Sequence, residues 1–391
     1  MDNKLKNVKI IILGGDNPNT LGMIRTLGEA EITFTSIIIR DLFIIASKSR
    51  YIDKKRLFIE RNIDDAYRDL MAVKQQLNGE KAYLLVEGDA NSGYLDRHYN
   101  ELKDYFIWNN AGEEGRLSDF LKKEKQLELA IACGFNVLPS TVVNVGEIPT
   151  DIEYPVITKA ITSEMSNWKA EVFVCKNEDE LREAYKSLRS EKVLIQKYVY
   201  KKDELCLDGH SIDHGRKQFI SIASNYNYLL ESGFSYQCTV SNYDNKELID
   251  KLTNMMSQIG YEGIYCIEFI IDQDDTPYFL EINFRNSGWS YASTCVGMPL
   301  PILWIKSMIN NQIDSNDRKD VPNNYTFVQD LSDYRARVGK RISVFQWLKE
   351  YMNTDCKLEL GRHDVGPMIA FIIDRFTKKM KRKMSSHMDE K

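Results

Sequence analysis

The sequence lacks several patterns that define common classes of protein. Its seven cysteines include no C-x-x-C pair, and no apolar run reaches 18 residues. The first pattern is typical of zinc and redox sites, and the second of membrane-spanning helices. The apolar run near the start is too short for a signal peptide. The net charge of −5 lacks the excess of base expected of a general nucleic-acid binder. We therefore expect a cytoplasmic protein with reduced thiols that binds no nucleic acid.

Other cofactor and catalytic signatures are also missing. Gly14 and Gly15 follow an apolar run, but G-x-G-x-x-G is absent, so a tight turn explains them better than an NAD site. His210 and His214 lie in a glycine-rich turn without further Cys or His at the spacing of a structural zinc site, so we interpret them as turn residues. No Ser-His-Asp or Cys-His set has a recognisable local context, which gives a nucleophilic hydrolase little support.

The patterns that are present predict an α/β protein. With 391 residues, 43% hydrophobic and 28% charged, the chain should form two or three soluble domains. Apolar runs at 8–13 and 32–39 flank a helical pattern at 20–28, which indicates strand, helix, strand and hence a parallel sheet. A further helix is predicted over 118–133 because it begins with capping residues and ends at a glycine.

Residues 264–283 predict a β-hairpin that carries two acids in unusual places. Each of its two apolar strands contains one glutamate, Glu268 in the first and Glu281 in the second. A register that places Ile271 opposite Tyr278 brings the two glutamates face to face, with their Cβ atoms roughly 5 Å apart. Two like charges so placed should repel each other.

One face of this hairpin gathers oxygen atoms. Asn283 lies two residues after Glu281, so it projects from the same face. Two carboxylates and an amide carbonyl suit a hard divalent cation, Mg²⁺ rather than zinc, which would remove the repulsion. The alternative is a hairpin whose acids simply face water. The opposite face is apolar and consists of Tyr265, Ile267, Phe269, Ile271, Tyr278, Leu280 and Ile282.

The residues after the hairpin favour an anion beside this metal. Arg285 follows directly, and the turn 286–290 offers backbone N–H groups and small residues. The pattern E-x12-E-I-N-x-R resembles the metal-binding end of the ATP-grasp superfamily, whose members activate a carboxylate with ATP and join it to a nucleophile. Phe284 stands where the family usually has proline, which removes no ligand.

This resemblance implies an ATP-grasp fold with four segments. They are a Rossmann-like pre-ATP-grasp domain at 1–117, a lid at 118–197, a lobe for metal and nucleotide at 198–312, and an extension at 313–391. It also implies ATP and Mg²⁺ as cofactors, with Mn²⁺ as the alternative ion. The implied metal ligands are Glu268, Glu281 and Asn283.

The same resemblance assigns nucleotide contacts along the chain. For Lys123 the alternative to a nucleotide contact is an ordinary position on a solvated helix face. For Lys169, beside a flap segment without glycine, the alternative is an ordinary surface lysine. Gln196, on the strand that resembles the adenine hinge, could accept from the adenine amino group. Arg285 and Lys159 are the implied catalytic residues. The full set of nucleotide contacts is Lys123, Lys159, Lys169, Gln196, Lys197, Val199 and Glu204.

Substrate residues are implied at two places. The stretch LGGDNPNTLGMIRTLG resembles the opening of ligases of the D-aspartate type, which makes Asn19 and Arg25 candidates, although a solvated helix position explains Arg25 equally well. In similar ligases the turn after the metal ligands holds the acceptor's carboxylate. That role falls on Ser287, Gly288 and Trp289.

The implied reaction is ATP-dependent ligation of a small-molecule carboxylate to an amine through an acyl phosphate, with an amino acid among the substrates. Ligation to a carrier thiol, ATP-dependent carboxylation and noncatalytic nucleotide sensing are the alternatives. The segment 367–384 places an apolar stretch before a basic cluster. A docked helix with a solvated tail explains it better than contact with an anionic membrane, the other reading. The sequence does not decide between a monomer and a homodimer.

Overall fold

The computed structural model shows an α/β fold built on three sheets. It describes residues 5–41, 44–159, 161, 172–231, 233–360 and 363–374. Within these residues the sheets have five, four and seven strands. No helix in the described part of the chain is long and apolar enough to cross a membrane.

The first sheet is parallel, as the alternation of strands and helices predicted. Its strands are β1 (Lys9–Gly15), β2 (Thr35–Ile39), β3 (Leu57–Glu60), β4 (Ala82–Val86) and β5 (Phe106–Trp108), in the order β3-β2-β1-β4-β5. The central strands are continuously apolar because helices cover both faces. The helices of this region are α1 (Pro18–Glu29), α2 (Ile63–Gln75), α3 (Asp89–Asp96) and α4 (Tyr99–Leu102).

The predicted helix over 118–133 is in fact two helices. They are α5 (Arg116–Phe120) and α6 (Lys123–Ala132). Lys122 between them is extended, which lets the Lys123 N–H donate to the Ile161 carbonyl at 2.9 Å. The Gln126 side chain donates to the Phe120 carbonyl at 2.7 Å and so satisfies an end of α5.

A small antiparallel sheet follows. Its strands are β6 (Ser140–Asn144), β7 (Val156–Lys159), β8 (Val174–Cys175) and β9 (Lys192–Lys197), in the order β6-β9-β7-β8. Helix α7 (Glu178–Tyr185) covers one face, where Leu181 packs with Val156 and Ile195 in a separate small core. The four-stranded sheet therefore has a hydrophobic core of its own, separate from that of the seven-stranded sheet.

The seven-stranded sheet carries the predicted hairpin at its edge, in the order β14-β13-β10-β11-β12-β15-β16. Its strands are β10 (Asp203–Ile212), β11 (Lys217–Tyr226), β12 (Gln237–Ser241), β13 (Gly263–Ile271), β14 (Pro277–Asn283), β15 (Tyr325–Val328) and β16 (Cys356–Lys357). Strands β15 and β16, from the last segment of the chain, extend the sheet. The remaining helices are α8 (Lys246–Ile259), α9 (Ser290–Cys295), α10 (Leu300–Asn310), α11 (Asp330–Arg337) and α12 (Val344–Asn353).

The hairpin places Glu268 opposite Glu281, as predicted, but by a different register near its turn. Ile271 pairs with Pro277 rather than Tyr278, and an irregularity next to Glu268 shifts the pairing by one residue. The bulge reverses the alternation of β14, so Phe279 is buried, and the expected core positions Tyr278 and Leu280 are only partly buried.

The expectation of seven reduced thiols is wrong for one pair. Cys295 and Cys356 form a disulfide, which links α9 to β16. The other cysteines are buried free thiols, namely Cys133, Cys175, Cys206, Cys238 and Cys266.

Of the predicted basic helix at the end of the chain, residues 366–374 are helical and the basic cluster lies outside the described residues. Its contact with a membrane stays a prediction.

Candidate active site

The oxygen-rich face of the hairpin is formed as the sequence predicts. Glu268 on β13 faces Glu281 on β14, and the Asn283 amide nitrogen donates to Glu268 Oε1 at 2.9 Å. Lys123, at the first position of α6, places its Nζ 2.9 Å from Glu281 Oε2. Three elements that are distant in sequence therefore meet at one point.

The two carboxyl groups differ in protonation. Burial, then the charge of Glu281, then that of Glu204 raise the pKa of Glu268 well above its ordinary value. Burial also acts to raise the pKa of Glu281, but the Lys123 ammonium outweighs it and lowers the pKa. Within the pair, a proton is therefore favoured on Glu268 and a charge on Glu281. A divalent cation would replace that proton and relieve the repulsion, so these oxygen donors fit Mg²⁺.

Lys159 ends β7 and reaches the same cleft. Its Nζ donates to the Gln196 side-chain oxygen at 2.7 Å, and Gln196 in turn donates from Nε2 to Ser140 Oγ at 2.8 Å. Burial, followed by the nearby Lys123 charge, lowers the pKa of the Lys159 ammonium to about 7. The Gln196 amide thus holds Lys159, and its contact with the adenine amino group stays a prediction.

The segment after β9 offers backbone groups at the predicted adenine hinge. Lys197 and Tyr198 donate their N–H groups to proline carbonyls, both at 2.8 Å. The Val199 N–H donates to no group in the part of the chain that the structure describes. The Lys197 side chain points elsewhere and pairs with Glu153 at 3.1 Å.

Glu204 opens β10 and is buried beside the cleft. One carboxylate oxygen accepts a hydrogen bond from the Tyr226 hydroxyl at 2.7 Å, and the other pairs with Lys201. Its charge also acts on Glu268. Glu204 therefore lies on the same side of the large sheet as the metal-site candidates.

Arg285 joins the hairpin to the first domain, a link that sequence reasoning missed. Its Nε lies 2.9 Å from Asp89 Oδ1, and its Nη2 donates to Asn283 Oδ1 at 3.0 Å. Asp89 and Glu87 outweigh burial and raise the pKa of the guanidinium. The available signal was the sequence E-G-D after β4, because functional residues gather at the carboxyl ends of parallel strands.

The turn 286–290 is held by a buried aspartate that sequence reasoning also missed. Asp208 Oδ1 accepts from Ser287 Oγ at 2.7 Å and from Ser290 Oγ at 2.6 Å. Burial raises the pKa of the Asp208 carboxyl to about 6. The Ser287 N–H donates to Ser290 Oγ, and the Trp289 N–H donates to Ser287 Oγ. These two N–H groups, which we expected to be free for an anion, are therefore used inside the turn.

Gly288 lies where three parts of the chain approach closely. A Cβ atom at Gly288 would come 2.2 Å from Gln329 Nε2 and 3.2 Å from Asn19 Oδ1. Asn19 and Gly288, two predicted substrate residues, are thus neighbours. Trp289 is only 3% exposed, and its ring lies 5.5 Å from that of Tyr226 within an aromatic cluster. Its indole packs inside the lobe.

Arg25 is not brought to the carboxylates. Its guanidinium is 1% exposed and pairs with Asp364 at 3.0 Å. It also donates to the carbonyls of Leu358, Glu359 and Asp364. The arginine therefore holds the last segment of the chain against α1, and neither the substrate role nor the solvated position matches these contacts. Lys169 lies outside the described residues.

A second cavity is remote from this chemistry. A groove of about 550 Å³ lies between Ile44, Lys48 and the helical residues 366–374. Its lining is mostly aliphatic, and it contains none of the carboxylates described above. The cleft between the sheets, although not a deep cavity in this structure, holds the reactive groups.

The fold is similar to that of several solved structures, among them a ligase, a synthetase and a carboxylase. The L-amino acid ligase from Bacillus licheniformis is 12% identical, with a TM-score of 0.58, and the match covers 77% of this chain and 74% of that one. The N5-carboxyaminoimidazole synthetase from Staphylococcus aureus is 19% identical, with a TM-score of 0.55 over 75% and 74%. The biotin carboxylase from Campylobacter jejuni, solved with β-γ-ATP, is 18% identical, with a TM-score of 0.60 over 83% and 74%.

The chain therefore has the ATP-grasp fold, as the sequence motif predicted. No family model matches the sequence, and no curated protein matches it. At such low identities the similarity establishes the fold alone.

Proposed function

We propose that the protein is an ATP-dependent carboxylate-amine ligase that forms an amide bond through an acyl phosphate. The observation that carries this proposal is a pair of opposed carboxylates and an amide set among three cationic side chains. Such a site suits a divalent cation and a polyphosphate together. The residues are Glu268, Glu281, Asn283, Lys123, Lys159 and Arg285.

The nucleotide fits the cleft between the four-stranded sheet and the seven-stranded sheet. The Val199 N–H can donate to a ring nitrogen of adenine, and Glu204 can accept from the ribose hydroxyls. Lys123 and Lys159 then face the phosphates as point charges. Mg²⁺ would be held by the hairpin carboxylates and Asn283, and would neutralise charge on the phosphates.

The reaction proceeds in two displacements. An oxygen of the substrate carboxylate attacks the γ-phosphorus of ATP, the bond to the bridging oxygen breaks, and ADP leaves. Lys159 and Arg285 stabilise the charge that spreads over the transferred phosphoryl group. The amine nitrogen then attacks the acyl carbon, loses a proton and expels inorganic phosphate.

An amino acid is the proposed acceptor. Gly288 and Asn19 are neighbours, and the acceptor's polar groups would meet the Asn19 amide there. The fold is shared with an L-amino acid ligase, which supports an amino-acid substrate. The partners are therefore small molecules, a carboxylate and an amine.

Phosphate release from ATP and Mg²⁺, screened over pairs of amino acids, tests the proposal. We expect release to require both a carboxylate and an amine and to match amide formation by mass spectrometry. Bicarbonate in place of the carboxylate, and a carrier thiol in place of the amine, test the two other ligase classes. Tight ATP binding without release in any combination would favour nucleotide sensing and contradict the proposal.

A further inference from the structure

Two buried thiols lie directly beside the metal-site carboxylate. Cys206 on β10 and Cys266 on β13 are both 0% exposed and form a hydrogen bond to each other. The two sulfur atoms and a carboxylate oxygen of Glu268 all lie within 4.8 Å of one another. Each thiol belongs to a different strand, so the cluster joins the edge hairpin to the centre of the sheet.

The register of the sheet explains this convergence. Cys206 stands opposite Glu268, and Asp208 stands opposite Cys266, across the same strand pair. Because side chains alternate between the two faces of a strand, Cys206, Cys266 and Glu268 project from one face. The arrangement is therefore fixed by the backbone of two paired strands and does not depend on a loop.

The donor set differs in chemistry from that of the Mg²⁺ candidate. Thiolates are soft ligands that favour Zn²⁺ or Cd²⁺, whereas Mg²⁺ favours oxygen. With Zn–S bonds of about 2.3 Å, two sulfur atoms in a tetrahedral site lie about 3.8 Å apart. The observed separations, at most 4.8 Å, need only a small movement to reach that geometry.

We propose that Cys206, Cys266 and Glu268 form a binding site for a soft divalent cation, Zn²⁺ or Cd²⁺. Each thiol releases its proton to solvent as it binds, and a water molecule completes the coordination. Glu268 belongs to this site and to the hard-metal site, so an ion bound to the thiols withdraws that carboxylate. Zn²⁺ therefore inhibits the enzyme in the presence of excess Mg²⁺, a consequence that rests on the proposed function.

The route to the site passes the carboxylate. Glu268 is partly exposed, while both thiols beside it are fully buried. An entering ion therefore meets an oxygen ligand first and the sulfur ligands afterwards. Tyr226 and Trp289 pack in the same apolar cluster as the thiols, which limits competition from water once the ion is bound.

Cadmium titration tests binding without any catalytic assay. The full chain, freed of metal with a chelator and kept under argon, is titrated with Cd²⁺ while the thiolate-to-metal absorption band is recorded. We expect one ion per chain in the wild type and in the control Cys175→Ser, whose thiol is buried in the small sheet. The double variants Cys206→Ser with Cys266→Ser, and the corresponding pair to alanine, should bind at least about 100-fold more weakly.

Two outcomes of this titration would overturn the site. One is the absence of the absorption band in the wild type, and the other is an equal band in a folded double variant. The double alanine variant provides the same test if the double serine variant fails to fold. Circular dichroism shows whether each of the two variants is folded.

Zinc inhibition then tests the consequence for activity. We expect Zn²⁺ to stop phosphate release by the wild type, a chelator to restore it, and the folded double variant to turn over while resisting Zn²⁺. Unaltered turnover of a wild type that has bound one equivalent would refute the shared role of Glu268. A protein that binds Cd²⁺ as expected but releases no phosphate with any substrate would contradict the proposed function and leave the metal site standing.

Discussion

Lys159 should make nucleotide binding depend on pH. Its ammonium group has a pKa lowered to about 7, because burial and the Lys123 charge both disfavour the cation. The phosphates of a bound nucleotide favour the cation instead. The free protein therefore loses the positive charge of Lys159 as the pH rises through about 7. Above that pH, nucleotide binding requires Lys159 to take up a proton. We expect the affinity for ADP to fall between about pH 6 and about pH 8.

The size of this effect follows from the fraction of Lys159 that carries a proton. One unit above its pKa, a group is protonated in about one molecule in eleven, so affinity falls by up to about tenfold, or ~1.4 kcal/mol. Binding at that pH takes up close to one proton. Glu268 acts in the opposite direction because metal binding would release its proton, so the measurement uses ADP without a divalent cation.

Isothermal calorimetry in buffers of different ionisation enthalpy measures both quantities. Lys159→Arg keeps its charge throughout and should lose the proton uptake while it retains affinity at high pH. Lys159→Ala should bind weakly at every pH. Lys251→Arg, at a partly exposed position of α8, is the matched control. An affinity for ADP that is constant across this range in the wild type, without proton uptake, would refute the assignment of Lys159 to the phosphates.

Three further substitutions, one of them combined with a second change, test the site and the buried pair that holds the last segment of the chain. Glu281→Gln should abolish turnover and weaken Mg²⁺ binding while the melting temperature is kept, and full activity in a folded variant would disprove the metal assignment. Gly288→Val should raise the KM of the acceptor with little change for ATP, and Gln329→Ala should partly reverse the effect by removing the 2.2 Å clash. Arg25→Met should lower the free energy of unfolding by about 3–5 kcal/mol in denaturant titrations, because it leaves Asp364 buried without its cation.

Two of these substitutions have a matched control. Glu247→Gln, on the exposed side of α8, should change neither turnover nor Mg²⁺ affinity. Gly79 has open space around it, so Gly79→Ala should leave the KM of the acceptor unchanged. An Arg25→Met protein as stable as the wild type would show that the buried pair does not hold the last segment.

The local features of the site were predictable because they follow the period of a strand. Glu268, Glu281 and Asn283 could be placed on one face from alternation alone. The bulge beside Glu268 was not predictable, because an extra residue in β14 leaves no mark in an apolar sequence. The error in the predicted register was confined to the residues between the bulge and the turn. There Phe279 is buried in the core in place of Tyr278 and Leu280.

The partners that position the site could not be predicted, because they are distant in sequence. Asp89 and Arg285 are 196 residues apart, and Arg25 and Asp364 are 339 apart. Neither pair has a periodicity that singles it out, and each acid resembles a surface residue until the fold buries it. Asp208 shows the same limit, since its position on β10 was visible but the serines that it holds come from a turn 79 residues later.

The contacts of Lys123 and Lys159 suggest why the nucleotide and the cation should bind together. Lys123 pairs with Glu281, and Lys159 hydrogen-bonds to Gln196. Phosphates that engage Lys123 take a cation away from Glu281 and leave its carboxylate charged beside Glu268. A divalent cation would then neutralise Glu281 and replace the proton that Glu268 favours, and a lysine held by phosphate no longer competes for Glu281. Each ligand thus removes the partner that opposes the other, so that binding of the nucleotide and binding of the cation favour each other.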